Sequence, residues 1–308
     1  MDGWTRLFFD TDRLDDYRLF LKVKGLPRVQ WQGRTALVPD EYVRHLGLAP
    51  AAKAKSGYQP SPWLYDYQGA VSRLAVRKQR FAVFMRCGLG KDLISKEFGR
   101  IAAHELPDNR CVLFVSPSNV VNQSLRETRR FYGDALPIER ISAANLQHWL
   151  LHGDSKIGIT NYEAIKEGLK RGRLGSIILD EASLLKSHYG AWGQRLIELG
   201  KGLEWKLCLT GTPAPNDRIE FANHAVFLDQ FPTVNSFLAK YFVNKGQTGE
   251  RWELKAHALE RFYRDLSHWC IFLENPATYG WKDNVGVIPP IHVHIHDIDM
   301  TEEQADIV

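Results

Sequence analysis

Strands and helices alternate from Trp63 to about Leu228, and this predicts an α/β fold built on a doubly wound parallel sheet. Two further observations agree. The candidate strands, 81–85, 111–116, 156–160, 176–180 and 206–210, read as near-continuous apolar runs, the pattern of parallel strands covered on both faces. Three of them lead directly into short chemical segments. Phe81-Ala82-Val83-Phe84 precedes Gly88-Leu89-Gly90-Lys91, Ser176-Ile177-Ile178-Leu179 precedes Asp180-Glu181-Ala182-Ser183, and Lys206-Leu207-Cys208-Leu209 precedes Thr210-Gly211-Thr212-Pro213. Ligands of open α/β sheets bind at such strand ends.

The 308 residues, 44% of them apolar, can bury one large core and a small second one. A net charge of +4 fits a nucleic-acid partner without requiring one. Cys87, Cys111, Cys208 and Cys270 are far apart and form no C-x-x-C pair, so neither a zinc site nor a disulfide framework is suggested. Residues 1–10 carry no basic-then-apolar signal, and no apolar run approaches membrane length. A cytoplasmic or nucleoid-associated setting is the expectation.

Along the chain, residues 1–55 read as a small α+β accessory module and linker. It holds a helix near Arg13–Val23 and a strand pair around Val29–Leu37 turning at Gln32-Gly33. The stretch from Ala49 to Pro62 is rich in small residues, lysine and proline, as linkers are. The main lobe covers 56–290. Within it, Phe227, Phe231, Phe237, Tyr241, Phe242, Phe262 and Tyr263 predict helices packed on the lobe over 220–275. From 291 to 308 the alternation of Ile291, Val293 and Ile295 with His292, His294 and His296 predicts a strand that begins a connection onward. Three histidines on one strand face, beside isoleucines and valine, read as an exposed edge rather than a metal site.

The chemistry of the three segments is that of a nucleoside triphosphate site. A glycine-rich loop ending in lysine lets backbone N–H groups wrap phosphates while the ammonium neutralises them. The acids supply carboxylates for magnesium and water. Any one segment alone would be unremarkable: glycine pairs are usually turns, an acidic tetrapeptide is usually a helix start, and Gly/Pro strand ends are common. Their order, spacing and shared position after apolar strands are what decide the reading.

That order resembles the first motor lobe of superfamily 2 helicases and translocases, most closely the remodeller-like (switch/sucrose-nonfermenting) branch, over about residues 63–275. The resemblance implies a RecA-like lobe using ATP and Mg2+. Leu64-Tyr65-Asp66-Tyr67-Gln68 is similar to the adenine-reading motif, with Gln68 matched to the base edge. Cys87, Gly88, Leu89, Gly90 and Lys91 match the phosphate loop, with Lys91 on the β- and γ-phosphates. Asp180 would hold Mg2+ through water and Glu181 would polarise the attacking water. Ser183 stands where histidine or aspartate is common. Thr210, Gly211 and Thr212 match the motif linking nucleotide to nucleic-acid track, and Ser116, Pro117, Asn161 and Tyr162 the strand-contact motifs. Lys186, Arg126, Arg129 and Arg130 would add positive charge, although such runs are usually solvated helix faces.

One position departs from the pattern. Asp92 follows Lys91 where the family has threonine or serine, whose hydroxyl ligates magnesium. Its carboxylate could hold the metal directly, yet its charge would also repel the phosphates beside it. The resemblance further implies a second RecA-like lobe that supplies arginines to the transferring phosphate. No arginine follows Arg264, and Met300-Thr301-Glu302-Glu303-Gln304 resembles the entry to that lobe, so the chain reads as the N-terminal part of a motor. The function implied is an ATP-dependent DNA helicase or translocase. The alternative is a hydrolysis-deficient motor-like lobe acting as a nucleic-acid or protein binding module.

Overall fold

The computed structural model describes residues 3–10, 12–48, 57–185, 191–246 and 251–282, with His294. The chain opens with β1 (Trp4–Phe8), α1 (Leu14–Lys24), β2 (Gln30–Gln32), β3 (Thr35–Pro39) and the short α2 (Asp40–Val43). The three strands form an antiparallel sheet in the order β1-β3-β2. Gly33, at φ 58°, opens the two-residue turn between Gln32 and Thr35, which pair. Phe9, Val23, Ala36, Val38, Tyr42 and Val43 give this unit its own core. The expected helix and strand pair are present. β1 was not anticipated.

The main sheet alternates with helices as expected: α3 (Asp66–Lys78), β4 (Arg80–Met85), α4 (Lys91–Glu105), β5 (Cys111–Ser116), α5 (Val121–Tyr132), β6 (Glu139–Arg140), α6 (Leu146–His152), β7 (Ile157–Asn161), β8 (Leu174–Asp180), α7 (Ala191–Gly200) and β9 (Trp205–Thr210). Together with β12 (Cys270–Leu273), the seven strands of this sheet among the described residues run parallel, in the order β12-β4-β9-β8-β5-β7-β6. Alternate residues of each strand serve opposite layers: Ala82 and Phe84 join one core, Phe81, Val83 and Met85 the other. Burial of each such aliphatic or aromatic side chain contributes about 2 kcal/mol, which holds the two layers of helices to the sheet.

Beyond β9 lie α8 (Phe221–Phe227), α9 (Val234–Tyr241), a hairpin of β10 (Phe242–Asn244) and β11 (Trp252–Leu254), α10 (Leu259–Trp269) and β12 (Cys270–Leu273). The all-helical expectation for 220–275 is therefore corrected. Cys270–Leu273 is a sheet strand pairing parallel with β4, because the chain leaves α10 directly into extended backbone at Cys270. The aromatic residues pack as predicted, with Phe237, Tyr241, Phe242 and Phe262 in edge contacts.

The N-terminal unit rests on the lobe through buried charges. Lys78 Nζ donates to Glu41 Oε1 at 2.7 Å, and His268 Nδ1 also meets that oxygen. Arg28 pairs with the buried Asp265 and donates to Gln230 Oε1 at 2.9 Å. Among the described residues no helix is long and apolar enough to cross a membrane. The predicted segment 291–308 and Lys186 lie outside the described residues, apart from His294, which is exposed.

Candidate nucleotide-binding site

Because the strands are parallel, the carboxyl ends of β4, β9, β8, β5 and β7 lie side by side, and these ends carry every predicted site residue except Gln68. The loop after β4 turns at Gly88 (φ 86°) and Gly90 (φ 73°), both left-handed. Gly90 has a second constraint: a Cβ there would lie 2.3 Å from Gln68 Nε2. Arg86, Cys87 and Gly88 are exposed, whereas the Leu89 side chain is core. Leu89 therefore offers only backbone to a ligand. Its carbonyl accepts from Tyr67 Oη (3.1 Å) and Gln68 Nε2 (3.0 Å).

Gln68 is 3% exposed, and its Oε1 accepts from the Tyr65 N–H at 3.0 Å. One end of the amide braces the loop and the other caps the start of α3, so an adenine edge would have to displace these contacts to reach Gln68. The N-cap of α4, Gly90, supplies no side-chain acceptor, so the first-turn N–H groups point into the loop without a side-chain cap. Lys91 Nζ arches back over the loop to Met85 O (3.0 Å). Gly211 lies against the same loop, its hypothetical Cβ 3.3 Å from Cys87 Sγ and 3.7 Å from Lys91 Nζ.

At the end of β8, Asp180 Oδ2 accepts from Ser116 Oγ (2.9 Å) on β5, and Oδ1 accepts from the Glu181 N–H (3.0 Å). Burial raises the Asp180 carboxyl above its ordinary range against the Ser116 hydrogen bond, and the charges of Asp92 and Glu181 add to the rise. Glu181 takes a left-handed φ of 53°. Its Oε1 accepts from Thr210 Oγ1 (2.7 Å) and Ser183 Oγ (3.0 Å), and Thr210 Oγ1 in turn accepts from the Thr212 N–H (3.1 Å).

Ser116 is 1% exposed and Tyr162 2%, so both side chains are turned inward rather than toward solvent. The Ser116 hydroxyl serves Asp180, and Tyr162 Oη donates to the Asp180 carbonyl at 2.6 Å. Thr210 is likewise buried against Glu181. Pro117, Asn161, Gly211 and Thr212 keep solvent-facing surface. Asn161 caps the turn at Tyr162–Ala164 through Oδ1 (3.1 Å from the Ala164 N–H) and donates to Ser118 Oγ at 3.2 Å. Arg126, Arg129 and Arg130 lie on the exposed face of α5.

The sequence reading overlooked the surroundings of Asp92. Its Oδ1 accepts from Lys96 Nζ (2.7 Å) and Ser124 Oγ (2.8 Å), and Lys96 Nζ also donates to Ser124 Oγ (2.7 Å). Lys96, 1% exposed, lies 4.7 Å from the centre of the Phe114 ring. The carboxylate charge at the phosphate loop is thus matched by a buried cation. Asp92 Oδ2 is buried with no hydrogen-bond partner. The signal available in sequence was the acid-to-lysine spacing of four on a helix.

An all-oxygen set of Asp92 Oδ2 and the Asp180 carboxylate suits a hard cation such as Mg2+, which is usually held by one or two carboxylates together with phosphates and water. No group of three or more His, Cys, Asp or Glu side chains among the described residues is gathered for a metal.

A parallel sheet with a glycine-lysine loop, an acidic strand end and a threonine-rich third strand end defines a RecA-like α/β lobe. The SNF2-related domain family model matches residues 51–307, and the chain belongs to that family. Membership makes it a helicase/ATPase-type domain, and the family implies ATP use, typically with Mg2+. Among solved structures the chain is similar to the SWI2/SNF2 ATPase core of Sulfolobus solfataricus, determined in complex with dsDNA, at 19% identity and a TM-score of 0.57. That match covers 72% of this chain and 47% of the other, so the chain spans about half the length of that structure; the shared feature is the RecA-like fold. The Hef helicase domain of Pyrococcus furiosus matches at 16% identity and a TM-score of 0.44, covering 56% and 40%. No curated protein matches the chain.

Proposed function

We propose that the chain is the ATP-binding first lobe of a DNA translocase or helicase, with the lobe at about 56–290, an accessory module at 1–55 and a connection from 291 onward. The observation that carries this reading is the hydrogen-bonded chain across the ends of β9, β8 and β5 and the turn after β7: Ser116 and Tyr162 on Asp180, and Thr210 on Glu181, beside the phosphate loop. It links the acids to the loops at Pro117, Asn161 and Thr212, the exposed positions suited to a nucleic-acid backbone.

In this reading Gly88, Gly90 and the first turn of α4 cradle the phosphates, and Lys91 leaves the Met85 carbonyl for them. Asp180 and Asp92 would hold Mg2+, which when bound neutralises charge on the transferring phosphoryl group. Glu181, held by Thr210 and Ser183, orients and polarises the attacking water. Gln68 fixes the loop against which the nucleotide sits. A second RecA-like lobe would close over the nucleotide and supply arginines, so the lobe by itself turns ATP over slowly.

The test is ATP hydrolysis with and without single- and double-stranded DNA, with the chain joined to a second lobe, for the wild type and Glu181→Gln. Glu181→Gln should retain ATP binding and lose DNA-stimulated turnover. Equal turnover in both proteins would remove Glu181 from the reaction. A hydrolysis-deficient binding module is the second reading, favoured by one observation: Asp92 Oδ1 is already engaged by Lys96.

A further inference from the structure

We propose that Lys96 is a positioning residue for the metal side of the nucleotide site: it holds Oδ1 of Asp92, cancels that charge, and leaves Oδ2 as the ligand atom. The inference rests on the nucleotide reading of the preceding subsection and deepens it. It begins from the one position where this chain replaces a neutral hydroxyl with an acid directly after the phosphate-loop lysine.

An uncompensated carboxylate there would oppose polyphosphate at close range, where the surroundings screen poorly. The structure supplies the compensation within the same helix. Asp92 and Lys96 are four apart on α4 with the acid nearer the N-terminus, the favourable order for such a pair. The Lys96 side chain is 2% exposed and that of Asp92 22%, so the cation is the more deeply buried partner.

Lys96 is itself fixed from three directions. Asp92 and Ser124 accept from Nζ, and the Phe114 ring lies beneath it. Ser124 closes the triangle by donating to Oδ1. Every contact of the carboxylate therefore falls on one oxygen, and Oδ2 is left buried without a partner. Other buried atoms also lack a partner, Arg100 Nε of the Glu97 pair among them, so it is the position of Asp92 Oδ2 that counts: it directly follows Lys91 at the phosphate loop, where a hard cation on the phosphates would be held.

The pair thus does in two residues what a hydroxyl does in one. It presents one oxygen to the metal at no net charge. Because Ser124 lies on α5, just after the Pro117–Val120 loop, the triangle also fixes the spacing between the phosphate helix and a candidate nucleic-acid loop.

The experiment is binding of a fluorescent ADP analogue by anisotropy, in excess EDTA and in excess Mg2+, alongside thermal melting of the ligand-free protein. The proteins are the wild type, Lys96→Met, Lys96→Arg, Asp92→Ser and the double variant Asp92→Ser/Lys96→Met. Lys96→Met should weaken metal-free binding by about tenfold or more and make binding depend more steeply on Mg2+, since the cation then becomes the only compensation for Asp92. Lys96→Arg should retain most of the affinity. The double variant should recover metal-free binding to within about threefold of wild type, because both charges leave together.

Three results would overturn the proposal alone: unchanged binding in Lys96→Met, a double variant as defective as Lys96→Met, or lowered melting with binding unaltered in both conditions. A wild type that binds no analogue in either condition would instead bring down the nucleotide reading, and this inference with it.

Discussion

Two acid–lysine triangles of nearly identical composition stand in different parts of the molecule. In the phosphate helix, Asp92, Lys96 and Ser124 close a ring of contacts between 2.7 and 2.8 Å. At the joint between the N-terminal unit and the lobe, Glu41, Lys78 and His268 do the same, with Lys78 Nζ 2.7 Å from Glu41 and 3.3 Å from His268 Nδ1. The acid of the first leaves a buried oxygen without a partner, while no such atom is found on Glu41. The first ties neighbours on one helix to the next. The second ties residues more than 200 positions apart, since His268 is 227 residues from Glu41. Buried ion pairs are weak evidence of function in themselves. The stranded oxygen directly after the phosphate-loop lysine is what separates a binding device from a fastener.

Breaking the fastener should give the largest effect. Lys78→Met leaves Glu41 buried without its lysine and should cost about 3 kcal/mol or more in chemical denaturation, with nucleotide affinity unchanged in the molecules that remain folded. The corresponding change in the phosphate helix, Lys96→Met, should cost less stability, about 1–2 kcal/mol, because Asp92 keeps the Ser124 hydrogen bond and lies in the first turn of α4, where the helix dipole favours an acid; the loss should appear mainly in binding. Asp180 sharpens the contrast further, since its donors are neutral and burial holds its carboxyl high. Asp180→Asn should therefore raise the melting temperature of the ligand-free protein at neutral pH while abolishing the Mg2+ dependence of nucleotide binding.

The fastener also has a signature in acid. Burial alone would raise the Glu41 carboxyl, but the hydrogen bond from His268 and the charge of Lys78 outweigh it and bring it from 4.5 to about 2. A depressed carboxylate contributes stability above its unfolded value, lost as pH falls through the folded one. Stability should accordingly decline between about pH 4.5 and about pH 2, and Glu41→Gln should flatten that part of the pH profile.

The sequence showed the parallel sheet plainly because its central strands are buried on both faces: Cys111–Ser116 and Trp205–Thr210 are buried at every position. β12 was hidden because Cys270–Leu273 continues from α10 with no turn residue between them, so aromatic helix pattern ran on into strand. β1 was hidden for another reason. Trp4–Phe8 mixes charged and aromatic residues and buries only Thr5 fully. Of the site, the glycines, acids and threonines were legible as strings, since phosphate and metal chemistry restrict those residue types. The hydrogen bonds of Ser116 and Tyr162 were not, because contacts between neighbouring strand ends depend on sheet order, which the string does not contain. Lys96 could have been found from its spacing to Asp92, and Ser124 could not, lying on the next helix.

The most direct test of the central claim, that this SNF2-related lobe works as an ATP site with an acid at its metal position, is DNA-stimulated ATP hydrolysis by the chain joined to a second lobe. The native Asp92 form would be compared with Asp92→Thr. The account predicts stimulated turnover with Asp92 in place. Turnover appearing only after the change to threonine would contradict it, and would mark the native chain as a motor-like lobe that binds without hydrolysing.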